Sequence, residues 1–486
     1  MSSHAAAKAQ QKRLSAYLEI LGQAAGHADR IDPLKSYCKG LLLPGDRKSV
    51  EPLAARLAPD NVRRMHQSLH HLVADAPWDD EDLLAEVRGA VLPAMRKHGD
   101  IVAWIIDGTG FPKKGKHSVG VARQYCGQVG KQENCQVAVS LSITTWKASL
   151  PIAYRLYLPE EWTNDADRRE AAKVPAEIQF QTKPQIALDQ IRQAVDSAIA
   201  PGIVLADAGY GVNGPFRAGL TALNLQYVVG IQSSMTVWEP GAAPLPAKPW
   251  KGQGRPPKLL RRDDQHQPVS VKALATALPR KAWKNITWRE GAKRDLRSRF
   301  AAVRVRAAGR DYEKAEPHAE QWLLIEWPST EVEPTKYWIS TMPVATTLKA
   351  LVKMAKHRWI IERDYEELKQ ELGLGHYEGR GWRGFHHHAT LCIAAYGFLI
   401  AERSLFFPPS APALLDYQLP NDLRTSNREG RVRPERHNPH SIATIRITIA
   451  WYLLREAAHC PFCGSRPARG SSASTSTRAT QDCKRE

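Results

Sequence analysis

Apolar positions recur at helical spacing through residues 15–97, as in SAYLEILGQAAGHA and DNVRRMHQSLHHLVADA, so this stretch predicts helices. The pattern then changes. Residues 101–107 (IVAWIID) form a short, mostly β-branched apolar run closed by Asp-Gly-Thr-Gly, the pattern of a buried strand. Beyond a Lys/Gly-rich loop, 136–145 (QVAVSLSITT) and 150–158 (LPIAYRLYL) predict two more strands. Residues 184–199 are amphipathic, with Pro near the start, where a helix tolerates it. A strand at 203–207 (IVLAD), a Gly turn, a helix at 214–223 and a strand at 226–230 (QYVVG) follow. Three strands, helix, strand, helix, strand is the order of an α/β sheet with an antiparallel edge.

From 232 to about 335 the regularity lapses into Pro, Gly, Lys and Arg, followed by strand-like fragments such as SRFAAVRVRAAG and QWLLIEWP. This stretch predicts a β-rich inserted subdomain. A long helix is expected at 347–372 and another at 387–403. The expected division is therefore a helical N-terminal domain (1–97), a core in two parts (98–231 and 336–407) split by the insertion (232–335), and a basic C-terminal region (408–486). Its last stretch, GSSASTSTRATQDCKRE, is too polar to bury a core and predicts disorder. The longest apolar run, 389–401, falls short of the roughly 20 residues that span a bilayer. The first residues lack a signal-peptide core, so a soluble cytoplasmic protein is expected.

Composition adds a partner. Among 486 residues, 68 Lys and Arg face 50 Asp and Glu, a net charge of +18 that favours a polyanion such as nucleic acid. Arg63, Arg64, His66, His70 and His71 mark one basic helical stretch for DNA, although a solvated helix face explains them equally well. The seven cysteines are odd in number and scattered, which argues for a reducing compartment. Cys460 and Cys463 have the C-x-x-C spacing of half a zinc site, with only His459 and a distant Cys483 near in sequence.

Candidate chemistry lies in carboxylates. Asp107 and Asp207 each close an expected strand and precede Gly-rich turns (DGTG, DAGYG), which would present oxygen ligands at the rim of a sheet. Hard divalent cations such as Mg²⁺ take such ligands and keep positions for substrate phosphates. Two ions about 4 Å apart serve phosphoryl transfer. At about 100° per residue, Arg358, Glu362, Tyr365 and Lys369 share one stripe of the 347–372 helix, while Asp364 and Glu367 point away. One face thus pairs a carboxylate with two cations suited to phosphate.

Taken together, the two Asp, the irregular β-rich stretch and the Arg-x3-Glu-x6-Lys helix resemble the bacterial insertion-sequence transposases of the DDE superfamily, in their cut-and-paste branch. DGTGFPKKGKHSVGVARQYCGQVGKQENCQVAVSLS and GRGWRGFHHHATL carry the resemblance, which covers about 101–403. It implies an RNase H-like core, a mixed sheet with helices on both faces, interrupted by the β-rich insertion. It also implies Asp107, Asp207 and Glu362 as catalytic and metal-binding acids, with Arg358 and Lys369 as the signature cations. Many relatives carry a Tyr three residues before that Arg. Here the position is Ala355, and Tyr365 on the same stripe is the available substitute.

The implied activity is cleavage at the element's ends with two Mg²⁺ (Mn²⁺ a possible substitute), followed by joining of the freed 3′-OH to target DNA. Synapsis of two ends implies a dimer on DNA, with no membrane partner. Lys113, Lys114, Lys116 and His117, just after Asp107, are expected along the DNA path, and so are Arg380, Arg383, His386, His387 and His388. Trp238 and Trp250 are candidates for stacking on an unpaired base. An RNase H-like nuclease that cuts without joining, or a non-catalytic DNA-binding derivative, shares most of these features.

Overall fold

The computed structural model describes residues 3–289, 295–405 and 440–456. The chain forms two units, one of Met1–Asp100, Glu367–Glu378 and His387–Glu486, the other of Ile101–Glu366 and Gly379–His386. Among the described residues no helix is long and apolar enough to cross a membrane.

The first unit is helical, with helices at Ser3–Gln23, Ala28–Leu42, Val50–Leu57, Val62–His70 and Asp80–Arg96. From His387 onward, the Trp382–Ser404 helix is apolar on nearly every side, which requires a central position. Tyr17 donates to the Ala394 carbonyl at 2.8 Å. Arg13 forks onto the buried Glu402 carboxylate at 2.6 and 2.7 Å. Residues 367–378 and 387–405, expected in the core's second part, cluster with these N-terminal helices. The Ile442–Glu456 helix lies in the expected basic C-terminal region. The expected disordered tail and the Cys460/Cys463 pair lie outside the described residues.

The second unit is built on a twelve-stranded mixed sheet. Its strands are β1 (Ala103–Pro112), β2 (Ala122–Cys126), β3 (Lys131–Thr144), β4 (Ser149–Leu156), β5 (Ile203–Ala206), β6 (Tyr227–Ile231), β7 (Thr236–Trp238), β8 (Val269–Ser270), β9 (Lys284–Arg289), β10 (Leu296–Ala307), β11 (Glu320–Trp327) and β12 (Lys336–Ser340). The order runs β2-β3-β1-β5-β6-β12-β11-β10-β7-β8, with β4 on β3 and β9 on β10. β1, β5 and β6 are parallel. On one face Ala103, Ile105, Leu205 and Val228 bury against Leu351, Val352, Ile360 and Ile361. Trp104 points the other way and donates to the Ala200 carbonyl at 3.0 Å, just past the Lys183–Asp196 helix, so helices cover both faces.

Three differences from the sequence reading matter for the site. First, β1 runs on to Pro112 because Asp107 through Pro112 keep pairing with Ser140 through Cys135 of β3, so Asp107 lies within a strand. Its parallel partner β5 ends at Ala206. Second, the 232–335 stretch does not stand apart as a subdomain: β12, just after it, pairs antiparallel with β6, and β11, β10, β7 and β8 of the stretch extend the same sheet beyond β12. Third, the expected 347–372 helix divides into Leu348–His357 and Trp359–Leu372, with Arg358 at the junction.

Glycines set how closely the Asp207 turn approaches the sheet. A Cβ on Gly211 would lie 1.9 Å from the Gly230 carbonyl oxygen, and one on Gly230 would lie 2.8 Å from the Ala208 nitrogen. Backbone meets backbone here, and no rotamer relieves it. Gly211→Ala should therefore lower unfolding stability in urea by roughly 1–3 kcal/mol or more. Gly214→Ala, at a position open to 4 Å, should leave it nearly unchanged. Equal midpoints for the two variants would contradict this packing.

Candidate active site

The parallel register pairs Ile105 with Leu205. Two residues further on, where β5 has ended, come Asp107 and Asp207, on the carboxyl side of adjacent parallel strands. Open α/β sheets bind ligands in such a crevice. Asp207 caps the short Ala208–Gly211 helix, its Oδ1 accepting from the Gly209 N–H at 2.8 Å. Asp107 Oδ1 accepts from its neighbour Gly108 at 2.8 Å.

Arg358 is the counterion. Its Nη1 donates to Asp107 Oδ2 at 2.6 Å and its Nη2 to Glu362 Oε1 at 3.1 Å, one turn along the helix. Burial raises the Asp107 pKa to about 6; Arg358 opposes the rise, while Asp207 adds to it. Burial works against the charge on Arg358 too, yet Asp107, Asp207 and Glu362 together raise its proton affinity. The Asp107 side chain is only 14% exposed, whereas that of Glu362 is 66% exposed.

Asp207, Arg358 and Glu362 line one cavity of about 310 Å³ together with Lys336, Trp338, Lys356 and Trp359. Lys336 and Trp338 come from β12, so the strand that follows the inserted stretch furnishes a wall of the cavity. Two cations lie over the Trp359 ring, with Arg289 3.8 Å and Arg363 5.2 Å from its centre. Neither Trp was singled out by sequence reasoning, since nothing local distinguishes them from the other Trp residues. Tyr210 was also missed: its phenol is buried, and the Asp107 and Asp207 charges both act on it.

The site's donors suit a hard divalent cation. Asp107 and Asp207 offer carboxylate oxygens at one crevice, and burial, with Asp207 adding to it, raises the proton affinity of Asp107 against the pull of Arg358. Among the described residues, no three His, Cys, Asp or Glu side chains converge as a ready-made cage. Glu362 is tied to the guanidinium, at the end of an exposed side chain. Asp107 and Asp207 are thus the pair a cation would meet first, with Glu362 on the same cavity wall as Asp207.

Several expected DNA contacts sit elsewhere. Tyr365 is buried, and its hydroxyl pairs with Ser140 Oγ at 2.7 Å on the strand beside β1. It is a core residue, closed to DNA in this state. Trp238 is 2% exposed, with its indole donating to Asp311 at 2.7 Å, so no base can stack on it. His387 is buried in the first unit against Trp78, with ring nitrogens 3.0 and 3.1 Å from the Val73 and Trp78 carbonyls. His386 and His388 are buried as well. Lys369 is half-buried and belongs to the helical unit. Arg383 and Trp250 are exposed.

The loop after Asp107 is ordered by Asn134, whose amide donates to the carbonyls of Lys113 (2.6 Å) and Gly115 (3.1 Å). Lys114 and Lys116 are exposed, and Lys113 is half-buried. Lys116 and His117 line an open cavity of about 450 Å³ with Arg123, Asn134, Arg168 and Glu161. Arg168 lies 3.8 Å over the ring of the buried Trp162, so its charge is held at this rim.

The chain is 33% identical over 189 residues to a protein of Microchaete diplosiphon described as a probable transposase for insertion sequence element IS701. That match takes in 39% of this chain and 45% of the relative's length. The family model described as DDE superfamily endonuclease matches residues 18–295, a span that includes Asp107 and Asp207. The mixed α/β sheet is consistent with the RNase H-like core of that superfamily, and the chain belongs to the DDE superfamily endonuclease family.

Proposed function

We propose that this protein is a transposase that cuts DNA at the ends of an insertion sequence and joins the freed ends to target DNA. The observation that carries the proposal is the placement of Asp107 and Asp207 two residues beyond the last paired positions of β1 and β5, with Arg358 linking Asp107 to Glu362. Asp107, Asp207 and Glu362 would hold Mg²⁺, or Mn²⁺ in its place. When bound, such ions supply positive charge that activates an attacking oxygen and stabilises a leaving one.

In the first step a water oxygen bonds to the phosphorus as the bond to the 3′ oxygen breaks, leaving a 3′-OH and a 5′-phosphate. In the second, that 3′-OH bonds to a target phosphorus and displaces the target's own 3′ oxygen. No covalent protein–DNA intermediate is needed. The planar fork of Arg358 suits bidentate contact with the scissile phosphate. Trp338 lines the cavity with Asp207 and Glu362, a ring for an unpaired base beside the acids. Lys114, Lys116, Arg123 and Arg168 offer cations to the DNA backbone. Two ends must be held together, so at least two copies act on DNA.

A DDE nuclease that cuts without joining differs in one product. Incubation of the protein with end-bearing DNA, a supercoiled target and Mg²⁺ should yield joined molecules. Cleaved ends alone would contradict the transposase assignment. Replacing Asp107, Asp207 or Glu362 by Ala should abolish cleavage while end binding persists, and full cleavage by Glu362→Ala would remove that residue from the site.

The proton affinity of Asp107 gives a pH signature. Its folded pKa, about 6, lies above the ordinary carboxylate value, so between pH 4 and 6 the folded protein holds a proton that the unfolded chain has lost. Stability in EDTA should fall across that window as pH rises, then level off. Thermal unfolding of Asp107→Asn should lose this decline, and a variant with the wild-type profile would contradict the burial argument.

A further inference from the structure

Between β7 and β8 the chain makes an excursion whose two ends are tied down. Leu245 and Arg261 pair across its base through backbone hydrogen bonds of 3.0 and 2.9 Å, and the buried Leu260 donates its N–H to the Lys314 carbonyl at 2.8 Å. Between these anchors, Lys251 through Leu259 are all exposed and belong to no helix or strand. The tip is folded on itself. The Trp250 indole N–H donates to the Gly254 carbonyl at 3.2 Å, and Gly252 and Gly254 take φ of +83° and +73°, which glycine adopts without strain. Residues 240–262 hold six cations and no carboxylate. Arg261 and Arg262 turn to Asp263 and Asp311. Among the described residues, Lys248, Lys251, Arg255 and Lys258 have no carboxylate partner, which suits this segment to a polyanion.

We infer that residues 254–258, Gly-Arg-Pro-Pro-Lys, are a site for the minor groove of A·T-rich duplex DNA, with Arg255 reaching the groove floor and Lys251 and Lys258 on the flanking phosphates. The inference rests on the proposed function only for DNA as the partner, not for the metal or the joining step. The minor groove is about 6 Å wide, so a helix or a pair of strands is too broad for it, whereas one unpaired stretch of chain can enter. A residue before proline is kept out of the helical region, which favours extended backbone at Arg255 and Pro256. Pro256 and Pro257 lack N–H groups, so the segment is a poor edge for another strand and stays single. Gly254 and Pro256 flank Arg255 without a long side chain, which leaves the guanidinium room to reach inward. A·T tracts narrow the groove and strengthen its negative potential, which draws an inserted Arg. G·C pairs instead put the guanine N2 amino group on the floor, a donor set against a donor.

The test measures binding of the full chain, in EDTA, to three short duplexes that carry no element end. One is A·T-rich, one is G·C-rich, and the third is the G·C-rich duplex with inosine in place of guanine. Inosine lacks the N2 amino group and keeps the major-groove face of guanine, so only the minor groove changes. Fluorescence anisotropy should give a Kd about 10-fold tighter for the A·T-rich and inosine duplexes than for the G·C-rich one. Arg255→Ala, at an exposed position, should abolish that preference at an unchanged melting temperature. Lys251→Ala combined with Lys258→Ala should weaken all three duplexes alike and flatten the salt dependence of binding. Equal wild-type affinity for the three duplexes would overturn the inference. So would a preference that survives Arg255→Ala, whether affinity is unchanged or uniformly lower, since Arg255 would then read nothing or touch phosphate alone. No end, target or metal takes part, so failure here leaves the cut-and-join proposal standing, and failure of the joining assay leaves this site standing.

Discussion

Asp107 is a carboxylate withdrawn from water at the carboxyl side of a parallel strand pair, and its burial sets what the residues around it must supply. Burial raises the proton affinity of Asp107, and Asp207 raises it further. Arg358 answers with a fork that reaches both Asp107 and Glu362. The guanidinium is itself partly withdrawn from water and is kept charged by the acids it serves. Removing either side would leave the other buried and uncompensated, a costly condition in a protein interior. A divalent ion at the two acids would offset more charge than a single guanidinium can.

The sheet makes this placement possible. β1 outlasts β5, so Asp107 stays fixed by β3 while its parallel neighbour has already turned away into the Asp207 cap. Glycines at 211 and 230 let that cap press directly on β6. The strands after β6 do more than lengthen the sheet. Through β12 they bring Lys336 and Trp338 to the cavity that Asp207 and Glu362 line. Lys356 reaches from the facing helix to Glu326, at 2.6 Å, and lies over the Trp288 and Trp338 rings. Cations stacked on half-buried Trp residues thus border the acids, a surface suited to both phosphate and base.

The parts of this arrangement legible in the sequence are those encoded by short-range pattern. The β-branched runs of β1, β5 and β6 announced themselves, as did the amphipathic Lys183–Asp196 helix. Helical angles separated Glu362 from its neighbours. Asp364 points away as expected, fully buried and bonded to Ser149, while Glu362 faces the cavity. What escaped depends on distant partners. DGTG reads as a turn, yet β3 holds it extended as far as Pro112. Trp238 looked available because Asp311, its hydrogen-bond acceptor, lies 73 residues away. No Pro or Gly warned of the break at Arg358. The union of the inserted strands with the core through β6 and β12 is a pairing between segments more than 100 residues apart, which no local pattern records.

A crystal of the protein grown with Mn²⁺ and measured at the manganese absorption edge tests the account most directly. An anomalous peak in contact with both Asp107 and Asp207, with Arg358 withdrawn from Asp107, is the predicted result. Manganese bound elsewhere, with the Arg358–Asp107 pair intact and no peak at the two acids, would contradict it.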